Sequence, residues 1–285
     1  MIITRFAPSP TGALHVGHAA SALFAYRAAV EAGGRFLLRI EDIDPVRCKP
    51  AFIDGIYEDL RWLGMDWPTP VRRQSEHMAD YAAALDTLKA MGLLYPCYCT
   101  RTEVEAEAAA SGHAPQEGDE AGEVVYAGTC RALTLAQQEE KAALRAPVWR
   151  LDMQKALAHV KEKGGGALRW HDRGAGEVIA QPERFGDVVL ARRDVKASYH
   201  LSVVVDDALQ GITLVTRGAD LKDSTDLHRL LQALLGLPTP EHHHHPLILG
   251  ADGKRFAKRD NAATLRSMRE GGMPAAEVMA QCLYA

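Results

Sequence analysis

With 285 residues, 47% of them hydrophobic and 25% charged, the chain has the size and composition of one large or two modest globular domains with ample core. A net charge of −4 excludes a global basic field, so a nucleic acid must be met by local patches such as Arg72–Arg73 or Arg192–Arg193, whose plainer reading is solvated surface. No apolar run reaches ~18 residues, the N-terminus lacks a signal-peptide pattern, and five cysteines are an odd count for a disulfide scaffold, which together predict no membrane span and a reducing cytoplasm.

Residues 2–6 form a short apolar-leaning run that meets APSPTG, where Pro8, Pro10 and Gly12 make a loop after a strand. Residues 17–32 are Ala-rich with few breakers and read as a helix, ended by Gly33–Gly34. RFLLRIED, 35–42, reads as a buried strand, which completes a β-α-β unit of a parallel sheet. Helices are expected over 50–64 and 75–94, the first with Phe52, Ile53, Ile56, Leu60 and Leu63 near helical spacing. Residues 97–130 change character and read as an insertion, and 145–195 are mixed, with short β-like runs such as VVLARR. LSVVVDD, 201–207, has the β-branched content of a central parallel strand. ITLVTRGADL reads as a second strand with Arg217 at its end, followed by a Leu-rich helix over 224–235 capped by Ser224 or Thr225. PLILGADGKRFAKRD reads as a strand, a turn at Asp252–Gly253 and a basic loop, and a last helix is expected over 274–283.

HVGH, His15 to His18, stands at the mouth of the first helix. Two imidazoles three apart share a helical face, and a helix N-terminus offers N–H groups and partial positive charge to a phosphate. Gly17 lets a flat nucleotide approach the backbone. Taken alone, the motif more often means a helix start with two surface histidines. Arg39, Glu41, Asp42 and Asp44 have a similar plain alternative, a salt-bridged surface turn. Cys97, Cys99 and Cys130 have the pattern of a zinc knuckle short of its fourth ligand, or of three buried free thiols. Cys48 and Cys282 read as packing residues, and HHHH at 242–245 as loop or strand-edge histidines rather than ligands.

Context adds to these motifs. RFAPSPTGALHVGHAA (5–20), GGRFLLRIEDIDPVR (33–47), LRWLGMDWPTPVRRQSEH (60–77), ASYHLSVVVDDALQGITLVTRGADLKDST (197–225) and LLGLPTPEHHHHPLILGADGKRFAKRD (234–260) closely resemble the glutamyl-tRNA synthetase family. The likeness covers most of residues 3–265. It implies an α/β fold, a Rossmann-type class I aminoacyl-tRNA synthetase catalytic domain split by a zinc-bearing insertion, with a short helical C-terminal tail. Residues 1–96 would be its first half. Residues 97–195 would be the insertion, with the zinc knuckle and a mixed α/β acceptor-like subdomain. Residues 196–260 would be the second half with a KMSKS-like loop, and 261–285 the tail. By the same resemblance, Arg5 and Arg217 clamp the two carboxylates of glutamate, and Glu41 receives its ammonium. Ala7 and Ser9 add hydrogen bonds, and Tyr199 shapes the pocket. Arginine suits the task because its planar fork meets a carboxylate at two points. His15, Gly17, His18 and Lys258 bind ATP, with His15, His18 and Lys258 catalytic and magnesium carried by the phosphates. The lysine loop RFAKR, 255–259, departs from the family by Arg255 and Ala257, where lysine and serine are common, and Lys254 is a second candidate cation. Tyr126 is the implied fourth zinc ligand beside Cys97, Cys99 and Cys130, with His113 as its rival.

Only residues 261–285 follow the lysine loop, too few for a full set of anticodon-reading domains. The short architecture and the Cys-x-Cys…Tyr-x-x-x-Cys pattern resemble glutamyl-Q tRNA(Asp) synthetases. These activate glutamate without tRNA and transfer it to queuosine at the wobble position of tRNA-Asp. The partners so implied are L-glutamate, ATP and the anticodon arm of queuosine-bearing tRNA-Asp, and a monomer is expected. The alternatives are a truncated glutamyl-tRNA synthetase charging tRNA-Glu, another HxGH nucleotidyltransferase, and a non-catalytic RNA-binding paralogue. The set Arg5, Glu41 and Arg217 speaks against the second alternative, and His15, His18 and Lys258 against the third.

Overall fold

The structure, a computed structural model, describes residues 1–110, 125–193, 197–247 and 263–282. Its first unit is β1 (Ile3–Phe6), α1 (Val16–Val30) and β2 (Arg35–Ile40), followed by α2 (Pro50–Trp62), β3 (Arg72–Arg73) and α3 (Met78–Ala90). β1, β2 and β3 form one parallel sheet in that order, with Arg5 opposite Leu37. The turn between α1 and β2 needs a left-handed residue at Gly33 (φ +57°). At Gly34 a Cβ would lie 2.1 Å from the Ile2 carbonyl oxygen, so only glycine lets β2 start beside β1.

The middle of the chain contributes β4 (Leu94–Cys97), α4 (Arg101–Ala110), α5 (Leu135–Leu144), β5 (Val148–Leu151), α6 (Met153–Glu162), the strands β6 (Arg169–Asp172) and β7 (Gly176–Ile179), and β8 (Val189–Ala191). β4, β5 and β8 make a small antiparallel sheet. The β6–β7 hairpin instead joins the strands that follow it. After α7 (Tyr199–Leu209), β9 (Leu214–Gly218), α8 (Ser224–Leu235) and β10 (Glu241–His245), the second large sheet runs β7-β6-β10-β9, with β10 parallel to both neighbours. β9 lies beside β1: the Thr213 N–H donates to the Ile3 carbonyl at 3.0 Å, and Arg5 donates to the Thr216 carbonyl. The chain's last described helices, α9 (Leu265–Glu270) and α10 (Ala275–Gln281), return to the first unit. Leu265 and Val278 are buried in the core of Phe6, Leu14, Leu23, Leu38, Ile56 and Leu60. A second core joins α3, α6, α7 and α8 through Tyr81, Leu151, Leu190, Leu201, Leu227 and Leu230.

Several local expectations are corrected. LSVVVDD is helix, not strand. Residues 201–207 are all buried, so no polar face marks the helical period and the β-branched content misleads. The signal that was present is Ser198, whose hydroxyl caps the helix by accepting from the Leu201 N–H. A strand that the sequence did not suggest lies at Glu241–His245, and Pro246, which has no N–H, follows its end; most of the PLILG strand expected next, 248–250, lies outside the described residues. HHHH is therefore an interior strand between β6 and β9, not a loop or edge. α8 takes Asp223 as its N-cap without a side-chain cap bond, and the Thr225 hydroxyl faces Arg217 instead. Arg72 and Arg73 form no basic patch: Arg72 pairs with Asp206 (2.7 Å) and Asp80, and Arg73 with Asp42 (2.9 Å) and Glu76. Arg193 is likewise spent on the carbonyls of Tyr98, Cys99 and Ala146.

Candidate active site

β1, β2 and β9 bring Arg5, Glu41 and Arg217 to one end of the sheet, where a parallel α/β sheet carries its ligands. Arg5 is buried. Its Nε and Nη2 donate to the two oxygens of Asp207 at 2.9 and 3.4 Å, and its Nη1 donates to the Thr216 carbonyl. Arg39, fully buried, donates to the same Asp207 at 2.8 Å and to Glu41 at 3.2 Å, and pairs with Asp206 at 3.5 Å. Burial disfavours the Arg39 cation, but Asp207, Glu41 and Asp206 outweigh it and hold its pKa above the ordinary range. Arg5 and Arg39 similarly overcome burial at Asp207 and keep its carboxyl below the usual range. At Glu41 burial wins over Arg39 and Arg5, and the carboxyl is pushed up. The turn 39–44 is thus salt-bridged, but at its start it is buried rather than superficial.

Arg217 is different. It is buried, yet among the described residues no carboxylate lies within ion-pair distance of its guanidinium. Its partners are neutral: Tyr199 Oη and His228 Nδ1, both at 3.4 Å, His244 Nε2 at 3.3 Å and the Thr225 hydroxyl. Burial lowers its pKa, as expected of a cation left without a counter-ion. His228 in turn lies 3.1 Å from His200. Burial and the Arg217 charge push both histidines down, His200 to about 4. Arg5 has its counter-ion in Asp207, whereas an anion at Arg217 would supply a counter-charge that no described residue gives it. The Pro8 and Pro10 carbonyls accept from the Glu41 and Lys49 N–H groups, so the loop holding Ala7 and Ser9 is tied across β2.

HVGH does more than expected of a bare helix start. His15 is the N-cap of α1, and its Nδ1 accepts from the Gly17 N–H, while His18 Nδ1 accepts from the His15 N–H. The pair is a capping box built from two imidazoles, with ring centroids 3.8 Å apart. A Cβ on Gly17 would lie 3.0 Å from the His15 ring, so glycine here admits the histidine itself. Lys258, with Lys254, Arg255 and Ala257, lies outside the described residues, as does His113.

The three thiols Cys97, Cys99 and Cys130 lie within 4.8 Å of one another. Cys99 and Cys130 sulfurs are 3.5 Å apart, close to the roughly 3.8 Å edge of a zinc tetrahedron. Tyr126 Oη is 3.4 Å from Cys99 Sγ and accepts from the Cys130 N–H at 2.8 Å. The cluster is buried in its own small core, with Arg150 stacked 4.0 Å over the Tyr126 ring. Burial opposes the Cys130 thiolate, but bonds from Tyr126, the Tyr98 N–H and its fellow thiols bring its pKa below the ordinary value. Burial pushes the Cys99 thiol up to about 12 and the Tyr126 phenol further, and it is the three thiols that are compatible with zinc.

Residues 1–283 match the family model described as tRNA synthetases class I (E and Q), catalytic domain. The glutamyl-Q tRNA(Asp) synthetase of Rhodobacter capsulatus is 48% identical over 277 residues, 96% of this chain and 97% of the relative. That of Symbiobacterium thermophilum is 43% identical over all of this chain and 86% of its own length. The chain belongs to the glutamyl-Q tRNA(Asp) synthetase family. Its fold is also that of a solved glutamate tRNA ligase from Elizabethkingia meningosepticum in complex with its amino acid, with a TM-score of 0.70 and 29% identity over 91% of this chain. The chain spans 52% of that ligase's length. Among the described residues no helix is long and apolar enough to cross a membrane.

For a glutamyl-Q synthetase fold, sequence reasoning missed the partners of the arginines. Asp207 lies in the segment whose β-branched content suggests a strand, and Arg39, for which a surface salt bridge is the plain alternative, is fully buried. Asp172, Thr225, His228 and His244 come from distant segments and carry no local signal. HHHH shows no alternation either; the strand gives it sides, with His242 and His244 meeting Trp170 on one face and His243 and His245 meeting Phe24 on the other.

Proposed function

We propose that this chain activates L-glutamate with ATP without tRNA and transfers the glutamyl group to queuosine at the wobble position of tRNA-Asp. The observation that carries the amino-acid half is Arg217, a buried cation with no carboxylate within ion-pair distance among the described residues, on the strand beside that of Arg5. Glutamate brings two carboxylates and one ammonium. Arg217 and Arg5 meet the carboxylates, Tyr199 lines the pocket, and Glu41, held by Arg39, takes the ammonium. Ala7 and Ser9 supply hydrogen bonds from the loop after β1.

The α-carboxylate attacks the α-phosphorus of ATP and displaces pyrophosphate, leaving glutamyl-adenylate. His15 and His18, fixed by the capping box beside Gly17, donate to the phosphate oxygens as charge develops on them. Lys258 neutralises the departing pyrophosphate, and magnesium arrives with the ATP phosphates as part of that substrate. A hydroxyl of the queuosine cyclopentene ring then attacks the glutamyl carbonyl, forming an ester and releasing AMP. Cys97, Cys99, Cys130 and Tyr126 would hold a zinc ion that supplies cross-linking of the 97–130 segment rather than chemistry. The family's work on tRNA supports a place in the cytoplasm.

The test is glutamate-dependent exchange of pyrophosphate into ATP, measured with and without tRNA, then transfer to queuosine-containing tRNA-Asp, unmodified tRNA-Asp and tRNA-Glu. Exchange without tRNA and transfer to the queuosine form alone is the expected result. Exchange that requires tRNA, or charging of tRNA-Glu, overturns it.

A further inference from the structure

Arg217 is held by a device that crosses the sheet from β9 through β10 to β6. Its Nε–H can only donate, and its partner is His244 Nε2 at 3.3 Å. The Thr225 hydroxyl, which accepts from Arg217 Nη2, also lies 3.4 Å from the same His244 nitrogen. The Arg217 contact requires Nε2 to accept, and the Thr225 hydroxyl, able to donate its own proton, is compatible with that. A neutral imidazole with Nε2 as acceptor carries its proton on Nδ1, and His244 Nδ1 meets Asp172 Oδ2. The other oxygen of Asp172 is already engaged, accepting from the N–H groups of Gly174 at 2.8 Å and Ala175 at 3.1 Å. Asp172 therefore cannot turn away, and it selects the tautomer. His244 is almost wholly buried, and burial with the Arg217 charge keeps it neutral.

We infer that Asp172 and His244 are positioning residues that set the direction of the Arg217 guanidinium, and hence the affinity for the substrate carboxylate. The inference rests on Arg217 as a carboxylate clamp. The logic is that of a carboxylate fixing a histidine tautomer for a partner on its far side.

Asp172→Asn separates this from simple packing. The asparagine oxygen stays on the Gly174 and Ala175 N–H groups, so its NH2 faces His244 Nδ1. The imidazole must then move its proton to Nε2, and two donors confront each other at Arg217. The expected result in pyrophosphate exchange is a rise of about tenfold or more in KM for glutamate, with KM for ATP and kcat changed by less than about twofold. A merely structural loss would instead lower the active fraction and leave KM alone. Long-range 1H–15N spectra of histidine-labelled protein, with the His244 signals assigned by their absence in His244→Gln, should show Nδ1–H in the native protein and Nε2–H in Asp172→Asn. Arg217→Gln is run beside it. If that variant keeps its KM for glutamate, the clamp reading is wrong. If it loses glutamate while Asp172→Asn keeps both KM and tautomer, the positioning role alone is overturned. Should Asp172→Asn fail to fold, the native spectrum decides: Nε2–H at His244 overturns the proposal and Nδ1–H upholds it.

Discussion

Two buried arginines in this site should respond differently to the same substitution, one through folding and the other through binding. Arg39→Gln removes the counter-ion shared by Glu41, Asp206 and Asp207, all on buried side chains. Breaking a buried pair from one side costs about 3–5 kcal/mol, so this variant should melt far below the native protein or not fold. Arg217→Gln removes a cation that no carboxylate compensates among the described residues. Relief of charge burial, several kcal/mol, is offset by loss of hydrogen bonds to four neutral partners at about 1 kcal/mol each. Folding stability should change by less than about 2 kcal/mol. Binding should not escape so lightly. A buried charge-assisted contact to a carboxylate is worth about 3–4 kcal/mol, roughly 10²–10³-fold in affinity. Thermal unfolding with and without saturating glutamate reads both effects. The native protein should gain stability from glutamate and Arg217→Gln should not. If Arg217→Gln unfolds like Arg39→Gln, or still responds to glutamate, then the missing counter-charge at Arg217 is not the substrate's.

Lys258→Ala should lower pyrophosphate exchange by about 10²–10³-fold, and exchange at the native rate would misplace the pyrophosphate contact. Protein purified without chelator should carry about one zinc per chain, lost in Cys130→Ser; a native content below about 0.2 would dismiss the metal. Because burial raises the Glu41 carboxyl, its ionised form, needed for the substrate ammonium, grows as pH rises. KM for glutamate should therefore fall as pH rises above the ordinary glutamate range of about 4.3, and a flat profile would contradict the role. Burial lowers His228 and His242, and takes His200 and His244 to about 4, whereas each protonates near about 6.5 when unfolded. The unfolded chain thus takes up extra protons below about pH 6.5, and stability should fall with pH there by up to about 1.4 kcal/mol per unit for each histidine. Urea unfolding that is unchanged from pH 7 to about 5 would refute it.

The sequence exposed those parts of the site whose chemistry is local. HVGH, Arg5 and Glu41 sit within or beside β1, α1 and β2, where breakers and an apolar run mark each boundary. The cysteines announce themselves by spacing, and Cys97 at the end of β4 meets Cys99 and Cys130 in one small core with Tyr126. What stayed illegible is the network behind the arginines. Asp207 joins Arg5 to Arg39 across more than 160 residues of chain, and Asp172 reaches Arg217 only through a histidine on the strand between them. Such partners are set by sheet order, and sheet order depended on two misread segments: the helix hidden in VVVDD and the strand hidden in HHHH. A fully buried helix shows no period, and a strand of one repeated residue shows no alternation. The same burial that erased those signals gives the residues their electrostatic weight. The clamp proposed for Arg217 depends on that burial: among the described residues its partners are neutral groups, and two of the elements that supply them, α8 and β10, pack where the sequence disguised its neighbours.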